Sequence, residues 1–367
     1  MRAVLGLFVA MVLGWVLWRG WEIADKTGTL RKLTYETPPA CRAVTGAVGG
    51  EDIQIDQQTG FAFVSAFDRR KAWAGDKSVR GMVGAFSIAE GDDHVTDLTN
   101  PTQSGAPQAF APHGLSLYVA PDGKRTLAAV NHANGETVEI FDVIQEQGTD
   151  GPAVPRLKHR RTVGDPKFRN LNDVLLVGPE AFYATNDHHF PAGLMQTVEN
   201  YLMLDEATVV YFDGSSARVA AKGLTYANGI NVSPDGRRVY VAETTDNMLR
   251  TYDRNAATGD LAPIKEKWGK TDLGFGLDNI DVTADGSLVI GGHPKLFDFV
   301  AYAKDEKHPS PSEAVHLTLG KDGWKVKQVY LGDGRQISAL SIAARLDAAL
   351  VLGPIFGREI LVCPFKE

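Results

Sequence analysis

A short turn phrase recurs along the chain at nearly regular intervals, and no other feature restricts the possible folds as strongly. Each copy is an apolar strand end, a turn rich in Pro, Asp or Gly, and a second apolar strand. The six copies end at Gly60, Gly123, Glu180, Gly236, Gly286 and Asp347. Asp-Gly between two strands predicts a tight hairpin, because Gly accepts the positive φ that such turns need. Six strand-rich units, spaced 50 to 63 residues apart, predict an all-β, six-bladed β-propeller rather than a pair of two-sheet sandwiches.

Composition and motifs exclude several classes of function. The formal net charge is −7 and no basic stripe is present, which argues against a nucleic-acid partner. The sequence has no Gly-x-Ser-x-Gly elbow, HExxH motif, P-loop or CxxC pair. Serine-hydrolase, zincin and NTPase interpretations therefore have no support.

The N-terminus predicts a membrane segment. Residues Ala3 to Trp18 form a run of sixteen without a charged or strongly polar side chain, followed by Arg19. As a helix the run spans about 24 Å, slightly short of the hydrocarbon core. No small-x-small cleavage site follows, so a retained signal-anchor or transmembrane helix over 1–23 is favoured over a cleaved signal peptide or a buried soluble helix. A polar stalk over 24–40 and a catalytic domain over 41–367 complete the predicted organisation, with the domain extracytoplasmic or secreted.

The two cysteines lie near the ends of the predicted domain, at Cys41 and Cys363. An exported chain meets an oxidising compartment, where one such pair suits a disulfide that closes a ring. Two unrelated buried thiols remain the alternative.

Acid and amide side chains recur at one place in the predicted blades. Glu51, Asn172, Asn228 and Asp278 precede their turn markers by eight or nine residues. Since each blade sends its innermost strand along the central channel, we expect these side chains to converge. Unpartnered carboxylates are costly to bury, and converging oxygens are the ligands that calcium requires.

Adjacent polar residues predict two ions. In extended chain, neighbouring side chains point in opposite directions, so each doublet can serve an upper and a lower ion. The upper, catalytic set comprises Glu51, Asn172, Asn228, Asp278 and Asn279. The lower, structural set comprises Asp52, Asp173 and backbone carbonyls.

Histidines near the same strand ends predict acid–base chemistry. His113 and His132 lie on successive strands that would pair, so one ring can orient the other as a general base with a pKa near neutrality. A core histidine without function is the competing interpretation. Asp187, His188 and His293 lie where their blade strands end, so we expect them to line the mouth of the substrate pocket.

In these motifs the sequence resembles the paraoxonase family of calcium-dependent lactonases and arylesterases. The resemblance covers roughly Cys41 to Cys363. It rests on Gly50-Glu51-Asp52, Pro112-His113-Gly114, Val130-Asn131-His132, Asn170-Leu171-Asn172-Asp173, Thr185-Asn186-Asp187-His188, Ala227-Asn228-Gly229-Ile230-Asn231 and Asp278-Asn279-Ile280. It implies that the upper set binds a catalytic Ca²⁺ and that Asp52, Asp173 and the Leu115 carbonyl bind a structural Ca²⁺. It also implies that His113 and His132 form the catalytic histidine dyad proposed for the family.

Three segments depart from the family pattern. They are Phe67 to Lys71, Gly353 to Arg358, and Tyr226, which stands where the family commonly has Phe. All three are expected near the substrate. The sequence thus predicts a calcium-dependent hydrolase of carboxylic esters and lactones, with organophosphates as further substrates. The alternative is a non-catalytic calcium-stabilised propeller that acts as a membrane assembly factor or binding module.

Overall fold

Six antiparallel sheets surround a central channel, which confirms the predicted β-propeller. The computed structural model describes residues 2–35, 39–145 and 153–365. Met1 of the predicted membrane segment, residues 36–38 of the predicted stalk, and residues 146–152 and 366–367 of the predicted catalytic domain lie outside this description.

The innermost strands of the six blades, β2, β6, β10, β14, β19 and β23, contact one another around the channel. The strands of blades 1 to 3 are β2 (Gly50–Ile55), β3 (Phe61–Ala66), β4 (Met82–Ser87), β5 (Thr96–Asp97), β6 (Pro112–Val119), β7 (Arg125–Asn131), β8 (Thr137–Ile144), β9 (Arg156–Val163), β10 (Leu171–Leu176), β11 (Phe182–Asn186), β12 (Ala207–Phe212) and β13 (Ala217–Leu224). Those of blades 4 to 6 are β14 (Ala227–Val232), β15 (Arg238–Glu243), β16 (Met248–Arg254), β17 (Leu261–Pro263), β18 (Lys270–Asp272), β19 (Gly276–Val282), β20 (Leu288–His293), β21 (Ser312–Gly320), β22 (Gly323–Gly332), β23 (Leu340–Leu346), β24 (Ala349–Pro354), β25 (Ile360–Pro364) and β1 (Arg42–Val44). The helices are α1 (Arg2–Lys26), α2 (Arg69–Trp73), α3 (Pro101–Ser104), α4 (Leu194–Leu202) and α5 (Leu296–Lys304), with a 3₁₀ turn at Lys267–Gly269.

The ring closes by strand pairing and by a covalent bond. The N-terminal strand β1 pairs with the C-terminal strand β25, so that Arg42 lies opposite Val362. The predicted disulfide between Cys41 and Cys363 is formed next to this pair, across 322 residues. In the chain-entropy model, closing a loop of this length stabilises the folded state by about 6 kcal/mol.

An apolar core lies between each pair of neighbouring blades. Between blades 6 and 1, for example, Ile53 and Val64 pack with Ile342 and Val351, and all four are fully buried. Because every blade is held on both sides, the inner strands form a rigid frame for side chains that point into the channel.

The N-terminal helix α1 extends to Lys26, three residues beyond the predicted boundary at residue 23. Its apolar side chains from Leu7 to Trp18 are exposed, and the stretch Leu7–Lys26 is long and apolar enough to cross a membrane. The first residues of the predicted stalk contact blades 4 and 5. Lys26 Nζ donates to the Asp246 carbonyl of blade 4, and the Thr27 carbonyl accepts the Leu296 N–H of blade 5. Arg31 there forms a two-pronged ion pair with Glu313, whose side chain is only 3% exposed. Since a buried carboxylate needs a partner, the segment is held by charge pairing.

Candidate active site and metal-binding ring

All six inner strands carry a register irregularity at the same level of the channel. It falls between Gly50 and Asp52 in β2, and the other five strands repeat it at the matching position. A β-bulge places two residues opposite one, bends the strand and redirects a side chain. Neighbouring residues such as Asp278 and Asn279 can therefore both serve the upper set, which simple alternation of an extended strand does not allow.

Four oxygens of the predicted upper set are buried and have no hydrogen-bond partner among the residues that the structure describes. They are Glu51 Oε2, Asn172 Oδ1, Asn228 Oδ1 and Asn279 Oδ1. Leaving a buried acceptor unpaired costs about 1–3 kcal/mol, so a cluster of four requires a compensating group. Hard cations take oxygen donors of this kind, and the donor set therefore fits Ca²⁺.

The amide nitrogens of the same residues are bound by protein groups. Asn228 Nδ2 donates to Thr244 Oγ1 at 2.9 Å, and Asn279 Nδ2 donates to Glu51 Oε1 at 3.0 Å. Asn172 Nδ2 lies 3.4 Å from Asp187 Oδ2. This bonding turns each amide so that its oxygen is left for a ligand. Among the described residues no three His, Cys, Asp or Glu side chains make a metal site by themselves, because most donors of the upper set are amides.

The lower set consists of carboxylates that the fold buries against backbone. Asp52 Oδ2 accepts from the Leu115 N–H at 2.7 Å, and Asp173 Oδ2 accepts from the Ile230 N–H at 2.8 Å. Each aspartate also accepts the N–H of the residue that follows it. Gly114 fits tightly here, since a Cβ at this position would lie 2.2 Å from Asp173 Oδ1.

The carboxyl pKa values differ between the upper and the lower set. Burial raises the pKa of Glu51, but the neighbouring His113 and Arg69 outweigh it and hold the pKa at about 2. Burial and the charge of Glu51 raise the pKa of Asp52 to about 8. Burial and Asp52 raise the pKa of Asp173 well above its ordinary value. The protein itself thus supplies too little positive charge to balance the carboxylates of the lower set, and a bound divalent cation would supply it.

The two predicted dyad histidines are in contact. His113 Nδ1 lies 2.7 Å from His132 Nε2, and the rings meet edge to face. His113 Nε2 lies 3.3 Å from Glu51 Oε1. On the other side, His132 Nδ1 lies 3.0 Å from Glu136 Oε2, which also accepts the Leu171 N–H. These contacts form a continuous chain of polar side chains from Glu51 of the upper set through His113 and His132 to Glu136.

A cavity of about 300 Å³ lies next to the side chains of the upper set. Its floor contains Glu51, His113, Asn172, Asn228 and Asp278. Its walls are mainly apolar and come from the end of α1 and from α4 and α5, with Ile23, Thr27, Tyr201, Leu296, Phe299 and Val300 among the lining residues. A polar floor beneath apolar walls is the usual construction of a small-molecule site.

Of the four predicted pocket residues, Tyr226 and His293 line this cavity. His293 Nε2 lies 2.9 Å from Asp278 Oδ2, and its ring stacks on Phe299. Tyr226 adopts a φ of 52°, and its ring meets His188 edge to face. Burial, together with nearby carboxylates, raises the pKa of Tyr226 well above its ordinary value.

Asp187 and His188 lie one layer behind the cavity wall, which differs from the prediction that they line the pocket. His188 Nδ1 lies 2.6 Å from Asp187 Oδ1, and His188 Nε2 lies 2.8 Å from Asn200 Oδ1 of α4. Burial lowers the pKa of His188, but the bond to Asp187 outweighs it and the net pKa is raised. The pair supports Asn172 from behind and ties α4 to blade 3.

Two residues of the site, Ser341 and Glu136, escaped the sequence analysis as functional groups, and a third, Arg69, was predicted near the substrate only as a member of the segment Phe67 to Lys71. Ser341 of β23 is fully buried, and its hydroxyl donates to Glu51 Oε1 at 3.1 Å, so the sixth blade also contributes to the ring. Glu136 orients His132, and its only sequence signal is its position four residues after that histidine. Arg69 Nη2 lies 3.9 Å from Glu51 Oε2, and nothing in the sequence distinguishes Arg69 from the cations beside it.

Comparison with known proteins identifies the family. The arylesterase family model matches residues 35–364, which is most of the chain. The chain belongs to the arylesterase family. Human "serum paraoxonase/arylesterase 1" is 32% identical over 358 residues, covering 95% of this chain and 96% of the human protein. Mouse "serum paraoxonase/lactonase 3" is 28% identical over 343 residues, covering 92% of each chain.

A solved structure shares the fold of this arylesterase-family chain. The luciferin-regenerating enzyme superposes with a TM-score of 0.52 at 12% identity, covering 89% of this chain and 98% of that enzyme. At this identity the likeness supports the propeller fold alone.

Proposed function

We propose that the protein is a calcium-dependent hydrolase of carboxylic esters and lactones, with one catalytic and one structural ion. The observation that carries the proposal is a cluster of four buried oxygens at the cavity floor that find no hydrogen-bond partner in the described part of the chain. Membership of the arylesterase family supports the hydrolase class. Organophosphate esters are proposed as further substrates, since a phosphoryl oxygen can occupy the place of a carbonyl oxygen.

The protein groups have distinct parts in the proposed reaction. Glu51, Asn172, Asn228, Asp278 and Asn279 would hold the catalytic ion, and Asp52, Asp173 and the Leu115 carbonyl the structural one. The chemistry that bound calcium supplies is Lewis-acid polarisation of a carbonyl oxygen. The apolar walls bind the acyl or aryl group and exclude water.

His113 is the dyad member at the cavity, so we assign it the general-base role. Water attacks the carbonyl carbon and gives a proton to His113, the acyl–oxygen bond breaks, and the leaving oxygen takes the proton. His132 and Glu136 hold the His113 ring in position through the contacts at 2.7 and 3.0 Å.

The proposal is tested with purified full-length protein on phenyl acetate, a lactone panel and an organophosphate triester, with and without chelator. We expect turnover that is lost with the metal and restored by calcium. Turnover that persists after the metal has been shown to be gone would contradict the proposal. A calcium-dependent melting temperature without turnover of any ester would instead support the alternative of a non-catalytic binding module.

One strand offers a matched pair of amides for assigning the ring. Asn228 Oδ1 is unpaired, whereas Asn231 on the same strand accepts the Val232 N–H and donates to the Ile280 carbonyl. Asn228→Ala should weaken calcium binding and turnover, while Asn231→Ala should lower stability and leave calcium affinity unchanged. Equal calcium affinity in the two variants would show that Asn228 is not a ligand.

We also propose that α1 anchors the protein in a membrane, with the propeller on the extracytoplasmic side. The exposed apolar surface of α1 and the disulfide, which suits an oxidising compartment, support this arrangement. Detergent-dependent extraction and protease protection in sealed vesicles test it. Release of the full-length chain by carbonate washing would refute the anchor, and a shorter, released form would indicate secretion after cleavage.

A further inference from the structure

The short helix α2, which follows the second strand of blade 1, begins with three consecutive cations, and the structure separates them. Lys71 is exposed and pairs with Asp68. Arg70 lies over the rings of Tyr302 and Phe356, 4.4 and 4.6 Å from their centroids, and donates to the Tyr302 carbonyl. The third cation, Arg69, turns inward to the metal-binding ring.

Arg69 is a buried cation with few protein partners. Its side chain is 8% exposed, and its one hydrogen bond within the described part of the chain runs from Nη1 to the Phe67 carbonyl at 3.5 Å. The 3.9 Å between its Nη2 and Glu51 Oε2 is an ion pair but exceeds hydrogen-bond distance. A guanidinium carries five N–H groups, so most of its donors are uncommitted.

The charge of Arg69 also lacks a counterpart once an ion is bound. Glu51 and Asp278 supply the two negative charges of the upper set, which one divalent cation neutralises. Arg69 interacts electrostatically with both carboxylates, although burial lowers its pKa, and it keeps its proton at any physiological pH. The loaded ring therefore has one positive charge in excess, together with planar donors that match a carboxylate.

We propose that Arg69 binds carboxylate groups at the floor of the cavity, so that the site prefers esters and lactones carrying a carboxylate beside the reacting carbonyl and retains its carboxylate product. This inference rests on the proposed hydrolase function for its substrate, but carboxylate binding itself requires no turnover. Among the described residues Arg69 does not itself line the cavity. It lies beside Glu51, with Nη2 3.9 Å from Oε2, and within electrostatic range of Tyr226, and both of these residues line the cavity. A carboxylate must therefore reach the guanidinium past Glu51 on the cavity floor.

The test compares calcium-loaded full-length wild type with Arg69→Met, Arg69→Lys and the control Arg70→Met. Acetate affinity is measured by calorimetry, and calcium affinity by competition with a chromophoric chelator. We expect Arg69→Met to weaken acetate binding at least tenfold and to tighten calcium binding, because a positive charge next to the ligand Glu51 has been removed. Arg69→Lys should bind acetate with intermediate affinity, since it keeps the charge but loses the planar fork. Arg70→Met should match wild type in both measurements.

Two results would overturn the proposal. Unchanged acetate affinity in Arg69→Met would mean that the metal alone holds the anion, and weaker calcium binding would mean that Arg69 serves to position Glu51. Should Arg69→Met fail to fold, Arg69→Lys decides, because unchanged acetate affinity there excludes the guanidinium as the carboxylate ligand. An Arg69-dependent acetate site in a protein without esterase activity would refute the proposed function and leave this inference standing.

For the substrate arm, kcat/KM is compared between a lactone with a carboxylate substituent and its methyl ester. Wild type should prefer the acid, and Arg69→Met should reverse or abolish that preference, with Arg70→Met unchanged. An identical ratio in all three proteins would refute the role of Arg69 in substrate choice.

Discussion

Calcium binding should be coupled to proton release from the lower carboxylates. Burial and Glu51 raise the pKa of Asp52 to about 8 in the protein without metal, and burial and Asp52 raise that of Asp173 as well. At neutral pH Asp52 holds a proton that a bound cation must displace. Chelation at pH 7 should therefore be accompanied by uptake of about one proton at Asp52, to which the raised pKa of Asp173 adds.

The size of the effect follows from the number of protons. Below pH 8, each displaced proton lowers the calcium association constant tenfold per pH unit, which is about 1.4 kcal/mol. Because Asp52 with a pKa of about 8 is half protonated at pH 8, its proton weakens calcium binding about fiftyfold between pH 8 and pH 6, or about 2.3 kcal/mol, and the raised pKa of Asp173 steepens the slope further. The measurement is calcium titration at several pH values, with proton release obtained from calorimetry in buffers of different ionisation enthalpy.

Calcium affinity should rise with pH, whereas the stability of the metal-free protein should fall with pH. The folded pKa of Asp52 lies above its ordinary value of 3.8, so the stabilisation from its bound proton is full below about pH 4 and is lost as pH rises through about 8. In chelator the melting temperature should fall between pH 5 and pH 8. In excess calcium this fall should be absent or reversed.

Matched variants isolate the groups responsible. Asp52→Asn should reduce the number of protons released on calcium binding by about one. Asp281→Asn is the control, since burial raises the pKa of Asp281 to about 7 although this residue belongs to neither ligand set. A calcium affinity independent of pH between 6 and 8, or an identical slope in wild type and Asp52→Asn, would refute the reasoning.

Three further predictions test other parts of the structure. Glu136→Ala leaves His132 Nδ1 without its acceptor and should lower kcat for phenyl acetate about tenfold or more with little change in KM; unchanged kcat would show that the dyad needs no orienting group. Asp173→Ala should lower the free energy of unfolding in calcium by about 2 kcal/mol or more, measured by denaturant titration, and normal stability would remove Asp173 from the structural site. Arg31→Met leaves buried Glu313 unpaired and should cost about 3 kcal/mol, whereas Arg335→Met, at a pair in which Arg335 is 87% exposed, should cost under about 1 kcal/mol; equal costs would mean that the N-terminal segment adds nothing to the fold.

Much of the architecture could be predicted because it depends on local turn chemistry that repeats. Gly123, Gly236 and Gly286 have positive φ, as the turns that contain them require. Counting back from such turns locates the inner strand of a blade, and thus the ring. The same method fails in blade 6, where Ser341 precedes its marker Asp347 by six residues and carries a hydroxyl in place of an acid or amide.

The direction of side chains in the segments between strands could not be predicted from the sequence. Arg69 and Arg70 are chemically identical neighbours, yet one faces the ring and the other lies over aromatic rings of α5 and of the segment after β24. The difference arises from packing between parts of the chain that are distant in sequence. For the same reason His188 could be placed near the pocket but not behind its wall, because the bond to Asn200 depends on where α4 lies.

The bulges explain why the ring can combine donors that ordinary strands would separate. An extended strand sends Asp278 and Asn279 to opposite faces, whereas the register shift between Leu277 and Ile280 lets both contribute to one side. Each bulge also frees backbone groups, and the lower aspartates use them: Asp52 accepts the Leu115 N–H from the next blade. The side chains that are short of positive charge thus also connect neighbouring blades. Loss of the proposed structural ion should therefore loosen contacts between blades before it affects strand pairing within them.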